Sequence, residues 1–336
     1  DADAAISALR SKDVEMVVGA IPFDSDTPAA LTVPEAIIRE EGPLEPHAYY
    51  RNQSLSSRVV GFDPEPEEHL RRVEAAIGTI ETSKLEKVVL ARAVDIEFPE
   101  AIDPRLVAAR LIDLSANRDG FIADLSPAGR PGAMLVGSSP EVLVKRQGLT
   151  VSAFPLAGSS PRRALAAEDH LAGQDLLHSS KDLHEHAFVV DHLRRALTPL
   201  CERLDIPDVP QLISTNEMWH LGTPISGTLK DKDLTALELA LAVHPTPAIC
   251  GTPAEAAQAL IETAETDRGF YAGAVGWCDS SGDGEYMVAI RCAEVAGDGL
   301  SARAWAGGGI VGDSDAQAEL EETTAKLRTI LKALSL

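Results

Sequence analysis

The sequence predicts an α+β fold with antiparallel sheets. Segments with helical spacing are mixed with runs of adjacent strand-like segments, and short turns join several of those runs into hairpins. Neither a GxGxxG nor a GxxxxGK[ST] motif is present, so a dinucleotide-binding or P-loop fold has no support. The 336 residues contain no evident linker, which favours one domain over 1–336, with an N-terminal segment (1–64) and a core (65–336).

The elements of the first half follow from apolar spacing and from the position of turn residues. Residues 24–64 are rich in Pro, Ser and Glu, and we expect them to lie over the surface. Gln147 and Gly148 form the predicted turn of a hairpin. In order, we predict a helix at 3–11, a strand at 14–23, a helix at 64–82, a strand at 87–98, a helix at 104–115, strands at 121–125 and 133–138, and the hairpin at 141–156.

The same signals divide the second half of the chain. An Asp/Ser/Gly turn between two apolar runs indicates a second hairpin. In order, we predict a long helix at 164–199, a strand at 218–229, a helix at 233–243, a Pro-rich loop at 244–253, a helix at 254–265, the hairpin at 271–295, a strand at 300–311 and a closing helix at 315–334.

Composition excludes several functions. Lys and Arg number 30 and Asp and Glu number 52, so the formal charge is −22, which disfavours binding to nucleic acid or to anionic membranes. No apolar run is long enough to span a membrane. Four dispersed cysteines without a CxxC pair, and a start that lacks signal-peptide features, predict a reduced, cytoplasmic protein.

Two acidic pairs are candidate metal ligands. Asp182 and Glu185 lie three residues apart on one predicted helix, and Glu319 and Glu322 lie three apart on another. Residues at this spacing share a helix face, so the two pairs could together offer the carboxylate oxygens that Mg²⁺ prefers. Solvated acidic faces would show the same pattern. The neighbouring His184 and His186 point to different sides of the helix and do not suit zinc.

Three further features have both a chemical and a structural explanation. Lys87 at the entry of a β-branched strand could act as a base in a desolvated site, or be an ordinary strand-end lysine. Arg291 within an apolar strand needs a carboxylate, which could belong to the protein or to a substrate. The glycine-rich segments at 155–163 and 306–312 could approach an anion with their amide groups, or simply form tight turns.

Taken together and in order, these motifs resemble the chorismate-utilising enzymes. The resemblance covers about 240 residues and is carried by KVVLAR (87–92), SSPEVLV (138–144), PLAGSSPRR (155–163), KDLHEHAFVV (181–190), WHLGTPISG (219–227), HPTPAICGTP (244–253), DRGFYAGAVGWCDSSGDGE (267–285), VAIRCAEV (288–295) and AGGGIVGDSDAQAELEETTAK (306–326). It implies large antiparallel sheets packed on each other with helices outside, and a cleft between two halves of one domain.

The resemblance also implies the roles of particular residues. Lys87 would be the general base that activates water, and Glu141 the general acid that protonates the leaving hydroxyl, which requires burial to raise the pKa of Glu141. Glu185 and Glu322 would ligate Mg²⁺, supported by Asp182 and Glu319. Residues expected to contact the substrate are Gly158, Ser159, His220, Ala248, Ile249, Tyr271, Arg291, Gly307, Gly308, Gly309 and Lys326.

Within the family, the motifs favour conversion of chorismate to isochorismate. The loop HPTPAICGTP replaces the loop of the ammonia-using members, which disfavours an amidotransferase partner. Salicylate synthases resemble this chain but carry Thr at the position of Ala248 and AGT in place of AGSS, so salicylate formation is the alternative. The VGAIPF segment favours siderophore over menaquinone synthesis, and we expect a monomer.

Overall fold

The computed structural model describes residues 1–42 and 45–336. Every strand pairing within this part of the chain is antiparallel. The strands are β1 (Met16–Ile21), β2 (Ala30–Thr32), β3 (Arg58–Asp63), β4 (Lys87–Glu97), β5 (Phe121–Asp124), β6 (Met134–Gly137), β7 (Val142–Gln147), β8 (Thr150–Phe154), β9 (Leu156–Pro161), β10 (Cys201–Asp205), β11 (Gln211–Ser214), β12 (Met218–Gly222), β13 (Ile225–Leu229), β14 (Gly251–Thr252), β15 (Ala274–Asp279), β16 (Gly284–Val288), β17 (Cys292–Val295) and β18 (Ser301–Ile310).

These strands form three sheets. An eight-stranded sheet has the order β10-β13-β8-β7-β16-β15-β1-β2, and a three-stranded sheet has the order β11-β12-β9. A seven-stranded sheet is built on β14-β4-β18-β17-β6-β5, with β3 also paired to β4. The α+β class with large antiparallel sheets is therefore confirmed.

Helices cover the sheets and fill the gaps between them. Their bounds are α1 (Ala2–Arg10), α2 (Ala48–Arg51), α3 (Pro66–Thr82), α4 (Pro104–Leu114), α5 (Ala166–His178), α6 (Ser180–Leu197), α7 (Ala236–Val243), α8 (Ala254–Ala264) and α9 (Ala316–Ala333), with a 3₁₀ turn at Ser126–Ala128. Among the described residues, no helix is both long and apolar enough to cross a bilayer.

Two apolar cores pack against the seven-stranded sheet. The larger contains Leu90 of this sheet together with Val144 and Tyr286 of the eight-stranded sheet. The smaller lies under α4 and α9 and contains Leu106 and Leu327. The two large sheets therefore pack on each other, and burial of this apolar area is the main force that holds them together.

The pairing of β4 with β18 fixes the positions of several candidate residues. It extends without a break from Ser301 opposite Glu97 to Ile310 opposite Val88. Val89 faces Gly309 across this ladder. Because side chains alternate along a strand, Lys87 lies on the same face of the sheet as Val89.

The long helix predicted at 164–199 is wrong, because the segment forms two helices. α5 ends and α6 begins at Ser179, whose backbone is extended (φ −69°, ψ 112°). The Ser179 hydroxyl accepts a hydrogen bond from the Asp182 amide, which caps the new helix. After the break, the face of α6 that carries Asp182 and Glu185 is turned toward the sheets.

The single strand predicted at 218–229 is also wrong. Its first half is β12 in the three-stranded sheet, and its second half is β13 in the eight-stranded sheet. Pro224 lies between them and has no amide hydrogen for a continuous ladder. The chain therefore crosses from one sheet to another at this point.

The hairpin predicted at 271–295 is correct for β15 and β16 but too long. The chain leaves β16 after Val288 and enters β17 at Cys292, in the seven-stranded sheet. Arg291 stands at this crossing with a left-handed backbone (φ 51°), a conformation that costs free energy for a residue other than glycine. Such strain is typical of a functional position.

The segment 24–64 is more structured than predicted. β2 joins the edge of the eight-stranded sheet, and β3 pairs with β4. Part of this prediction, at 43–44, lies outside the described residues. The short strands β9, β10, β11 and β14 were not predicted, because their pairing depends on distant partners and not on local alternation.

Candidate active site

The candidate active site is a pocket between the three-stranded and the seven-stranded sheet. Its walls come from β9, β12 and β18, from the helices α6 and α9, and from the loops at 139–141, 248–249 and 289–291. The predicted residues that line it are Glu141, Gly158, Ser159, Glu185, His220, Ala248, Ile249, Tyr271, Arg291, Gly307, Gly309 and Lys326.

The remaining predicted residues surround this pocket. Lys87 lies behind Glu185, with its Nζ 3.1 Å from Glu185 Oε1. A Cβ at Gly308 would lie 3.0 Å from Glu319 Oε2, so Gly308 faces the acidic residues of α9 and not the pocket. Asp182 borders the groove next to Ser159.

Lys87 and Glu185 form a buried ion pair. The Lys87 side chain has no solvent exposure, and that of Glu185 has 9%. Burial raises the pKa of Glu185, but Lys87 and Lys181 more than offset this, so its pKa is below the usual value. The pair explains how a lysine can be tolerated in the core, since a buried charge requires a partner.

Gly309 makes room for this ion pair. A Cβ at this position would lie 2.0 Å from Glu185 Oε1 and 3.0 Å from Lys87 Cε. We expect Gly309→Ala to displace Glu185 and to lower the free energy of unfolding by about 1–3 kcal/mol, the usual cost of overpacking. Urea-induced unfolding measures this change.

Gly312→Ala is the matched control, because the nearest atom to a Cβ there is Ile80 Cγ2 at 3.8 Å. Equal unfolding free energies for the two alanine variants would show that the close approach of Glu185 to β18 is not needed for stability.

Glu141 is a buried carboxyl on the opposite wall. Only 3% of the residue is exposed. Burial raises its pKa to about 7, although the Leu156 amide and the charge of Lys87 act in the other direction. Near neutral pH a substantial fraction of Glu141 therefore carries a proton that it can donate.

His220 links two other polar side chains of the pocket. Its Nδ1 lies 2.9 Å from Ser159 Oγ, and its Nε2 lies 3.3 Å from Arg291 Nη2. Burial, with the charges of Arg291 and Lys326, lowers the pKa of His220 well below its usual value, so the ring is neutral.

The partners also determine the tautomer of His220. A guanidinium has donors only, so Nε2 must accept from Arg291 and Nδ1 must carry the hydrogen. Ser159 Oγ then accepts from Nδ1–H, and its own hydroxyl hydrogen is free to be donated into the pocket. Burial lowers the pKa of Arg291 to about 10, which leaves it charged at neutral pH.

The other acidic side chains meet two lysines. Lys181 Nζ lies 2.8 Å from Glu319 Oε1 and 3.9 Å from Asp182 Oδ1, while Lys326 Nζ lies 2.6 Å from Glu322 Oε1. Burial lowers the pKa of Lys181, but Glu319 and Glu185 outweigh it, so its pKa is raised. The two predicted acidic pairs are thus partly buried and close to each other, not solvated.

These carboxylates fit a hard divalent cation by their chemistry. Burial and the charge of Glu322 raise the pKa of Glu319 to about 7, and burial also raises that of Asp182, so a nearby cation would stabilise the ionised form of both. Glu319 Oε2 is buried without a hydrogen-bond partner. Oxygen donors of this kind suit Mg²⁺, although no three acidic, His or Cys side chains among the described residues form a ready coordination group.

Sequence reasoning missed several apolar residues of the pocket. Trp305 stacks on Tyr271 with ring centroids 5.6 Å apart and an interplanar angle of 8°. Val89 alternates with Lys87 on β4 and could have been found from that spacing. His186 is structural, since it contacts the Ala157 carbonyl oxygen and the Thr223 hydroxyl, which agrees with the absence of a zinc site at 184–186.

A buried lysine, a buried protonated carboxyl and a buried arginine around one pocket define an enzyme site for a small anionic substrate. A family model described as "Chorismate binding enzyme" matches residues 25–335. The chain therefore belongs to the chorismate binding enzyme family.

Relatives and solved structures agree with this assignment. A Mycobacterium tuberculosis (strain H37Rv) protein that carries the name MenF is 46% identical over 99% of this chain and 90% of its own length. Isochorismate synthase DhbC of Bacillus subtilis (strain 168) is 44% identical over 95% of this chain and 80% of its own. The crystal structure of DhbC from Bacillus anthracis superposes with a TM-score of 0.90 at 40% identity, covering 100% of this chain and 88% of that one.

Proposed function

We propose that this protein is an isochorismate synthase, which converts chorismate to isochorismate. The observation that supports the proposal is a pocket lined by Glu141 and Arg291, with buried Lys87 next to Glu185 in its wall. The isochorismate synthases among its relatives, including EntC of Escherichia coli (strain K12) at 38% identity, support it.

The reaction needs one base and one acid. Lys87 takes a proton from water as the water oxygen bonds to C2 of the ring. The ring double bonds shift, the C4–O bond breaks, and Glu141 gives its proton to the departing hydroxyl, which leaves as water. One water enters and one leaves, so the reaction is an isomerisation.

The substrate is a dianion and the protein carries a charge of −22, so local cations are needed. Arg291 and Tyr271 are placed to hold one carboxylate, and Lys326 lies nearby on α9. Glu185 and Glu322, with Asp182 and Glu319, would hold Mg²⁺, which supplies Lewis-acid neutralisation of the other carboxylate when bound. Because Glu185 is also the ion-pair partner of Lys87, a metal held by Glu185 would compete with that ion pair.

We place the reaction in one catalytic domain that acts as a monomer, without an amidotransferase subunit, in the cytoplasm. Four free buried cysteines are compatible with a reducing compartment. The two cores share β4 and β18, which supports one domain over 1–336.

Product analysis tests the proposal. Chorismate is incubated with the protein, with and without Mg²⁺, and isochorismate, salicylate and pyruvate are separated. We expect isochorismate, formed only with the metal. Salicylate with equimolar pyruvate would instead assign the protein to the salicylate synthases and show that Ala248 does not distinguish the two activities.

We propose siderophore synthesis of the 2,3-dihydroxybenzoate type as the pathway. The VGAIPF and HPTPAICGTP segments support it, as does the similarity to DhbC and to a vibriobactin-specific isochorismate synthase of Vibrio cholerae at 38% identity. Menaquinone synthesis is the second candidate, favoured by the MenF name of the Mycobacterium tuberculosis relative. Deletion of the gene should abolish catecholate secretion under iron limitation and leave menaquinone unchanged; the reverse result would select the second candidate.

Ser159 should contribute modestly to binding through the hydrogen-bonded chain with His220. We expect Ser159→Ala to lower kcat/KM by about 2–10-fold, the effect of losing one neutral hydrogen bond. Its neighbour Ser160 lies on the same strand but does not line the pocket, so Ser160→Ala is the control. Steady-state kinetics on both variants measures the difference, and equal values would remove Ser159 from the substrate contacts.

A further inference from the structure

The structure contains a second polar cavity, on the β4 edge away from the proposed active site. β14 covers the start of β4 and β3 covers its end, so the edge is left open near Ala91. The cavity in this gap is lined by Arg72, Arg92 and Arg268, by the carboxylates Asp63 and Glu265, and by Trp305.

Arg92 is the central residue of this cavity. It is 4% exposed, and its Nε and Nη1 are buried without a hydrogen-bond partner among the described residues. Arg72 on α3 lines the same cavity, and its Nη1 is also buried without a hydrogen-bond partner among the described residues. A buried guanidinium with unpaired donors is strongly unfavourable unless a group absent from the protein completes it.

The carboxylates nearby are already engaged or point to solvent. Asp63 accepts hydrogen bonds from Arg303 and Thr266, and Glu265 is held by Arg268 at 2.8 Å. Glu68 accepts from Arg72 Nε at the surface, and Glu65 is exposed. Arg92 therefore makes no hydrogen bond or ion pair with a carboxylate among the described residues, although the charge of Glu65 acts on it.

The size of the cavity limits what can bind. The open space is that of about one water-sized group. A phosphate, sulfate or carboxylate is larger than this space. Thr266 at the rim is exposed and gives a path to solvent.

We propose that this cavity is a binding site for a monatomic halide, chloride in the cell, held by the guanidinium groups of Arg92 and Arg72. The ion would accept the hydrogen bonds that Arg92 Nε and Nη1 and Arg72 Nη1 do not make within the described residues. It would link α3 to β4. Trp305 lines both this cavity and the active-site pocket.

Crystals grown in sodium bromide test the site directly. We expect an anomalous difference peak within hydrogen-bond distance of the Arg92 guanidinium. In solution, thermal unfolding is followed against sodium chloride and sodium bromide, with sodium gluconate at equal ionic strength as the reference. The halides should raise the melting temperature with saturation, and gluconate should not.

Substitutions then locate the effect. Arg72→Gln should raise the halide concentration that gives half of the melting-temperature increase by about tenfold or more. This factor corresponds to the loss of one hydrogen bond to a charged group. Arg71→Gln, on the same helix but exposed, is the control and should leave it unchanged. Absence of bromide at Arg92, coincident chloride and gluconate curves, or equal responses of the two variants would each overturn the proposal and indicate a water in the cavity.

Discussion

Replacement of Lys87 by methionine is expected to lower kcat for isochorismate formation by about 10²–10⁴-fold, the usual contribution of a positioned base. Methionine keeps the length and apolar stem of lysine but cannot accept a proton. Lys87→Arg should be equally inactive, because a guanidinium keeps the charge opposite Glu185 and does not deprotonate. The product is quantified by chromatography at saturating chorismate and Mg²⁺.

Two further measurements separate the proposed role from a structural one. Titration with Mg²⁺ by calorimetry shows whether the variants still bind the metal, since Glu185 loses its partner in Lys87→Met. Lys145→Met is the control, because Lys145 is a half-exposed strand lysine that pairs with Glu285 at 3.4 Å. An active Lys87→Arg enzyme would show that Lys87 supplies charge and not a base.

Replacement of Glu141 by glutamine is expected to reduce kcat by about 10²–10⁴-fold as well, because an amide cannot transfer a proton to the leaving hydroxyl. The amide fills nearly the same volume as the carboxyl, so the fold should persist. Glu285→Gln, a partly exposed glutamate on β16, is the matched control. Retention of most activity in Glu141→Gln would remove Glu141 from the chemical step.

The pH dependence of kcat/KM gives an independent test of Glu141 as the general acid. Its pKa is raised to about 7 by burial, and a general acid must be protonated to act. The protonated fraction therefore falls as pH rises through about 7, and kcat/KM should fall with it on the alkaline side. In Glu141→Gln this limb should disappear. A limb that stays in place would assign the titration to another group.

Much of the fold could be read from local pattern. The helix over 66–82, the hairpin of β7 and β8 and the closing helix over 316–333 form close to where apolar spacing and turn residues predict them. These elements depend on neighbours within a few residues, which the sequence displays directly. The breaks at Ser179, Pro224 and Arg291 were missed, because each is imposed by where the next segment must pack.

The candidate site was found through motifs and not through periodicity. Lys87, Glu141 and Arg291 each had an ordinary structural explanation in isolation, and only their order along the chain distinguished them. Which lysine meets which carboxylate was not predictable. Lys181 with Glu319 and Lys87 with Glu185 are pairs between segments about 100 residues or more apart.

The sequence by itself determined the fold class, the acidic and basic residue types of the site and the family to which the chain belongs. Only the tertiary structure decided their environments: the burial that raises the pKa of Glu141, the close approach of Gly309 to Glu185, and the buried Arg92 donors that have no partner among the described residues. The physical reason is that residue type and local spacing are properties of the sequence and do not depend on the fold. Desolvation and charge pairing depend on which distant segments share one interior, and that is set when the sheets pack.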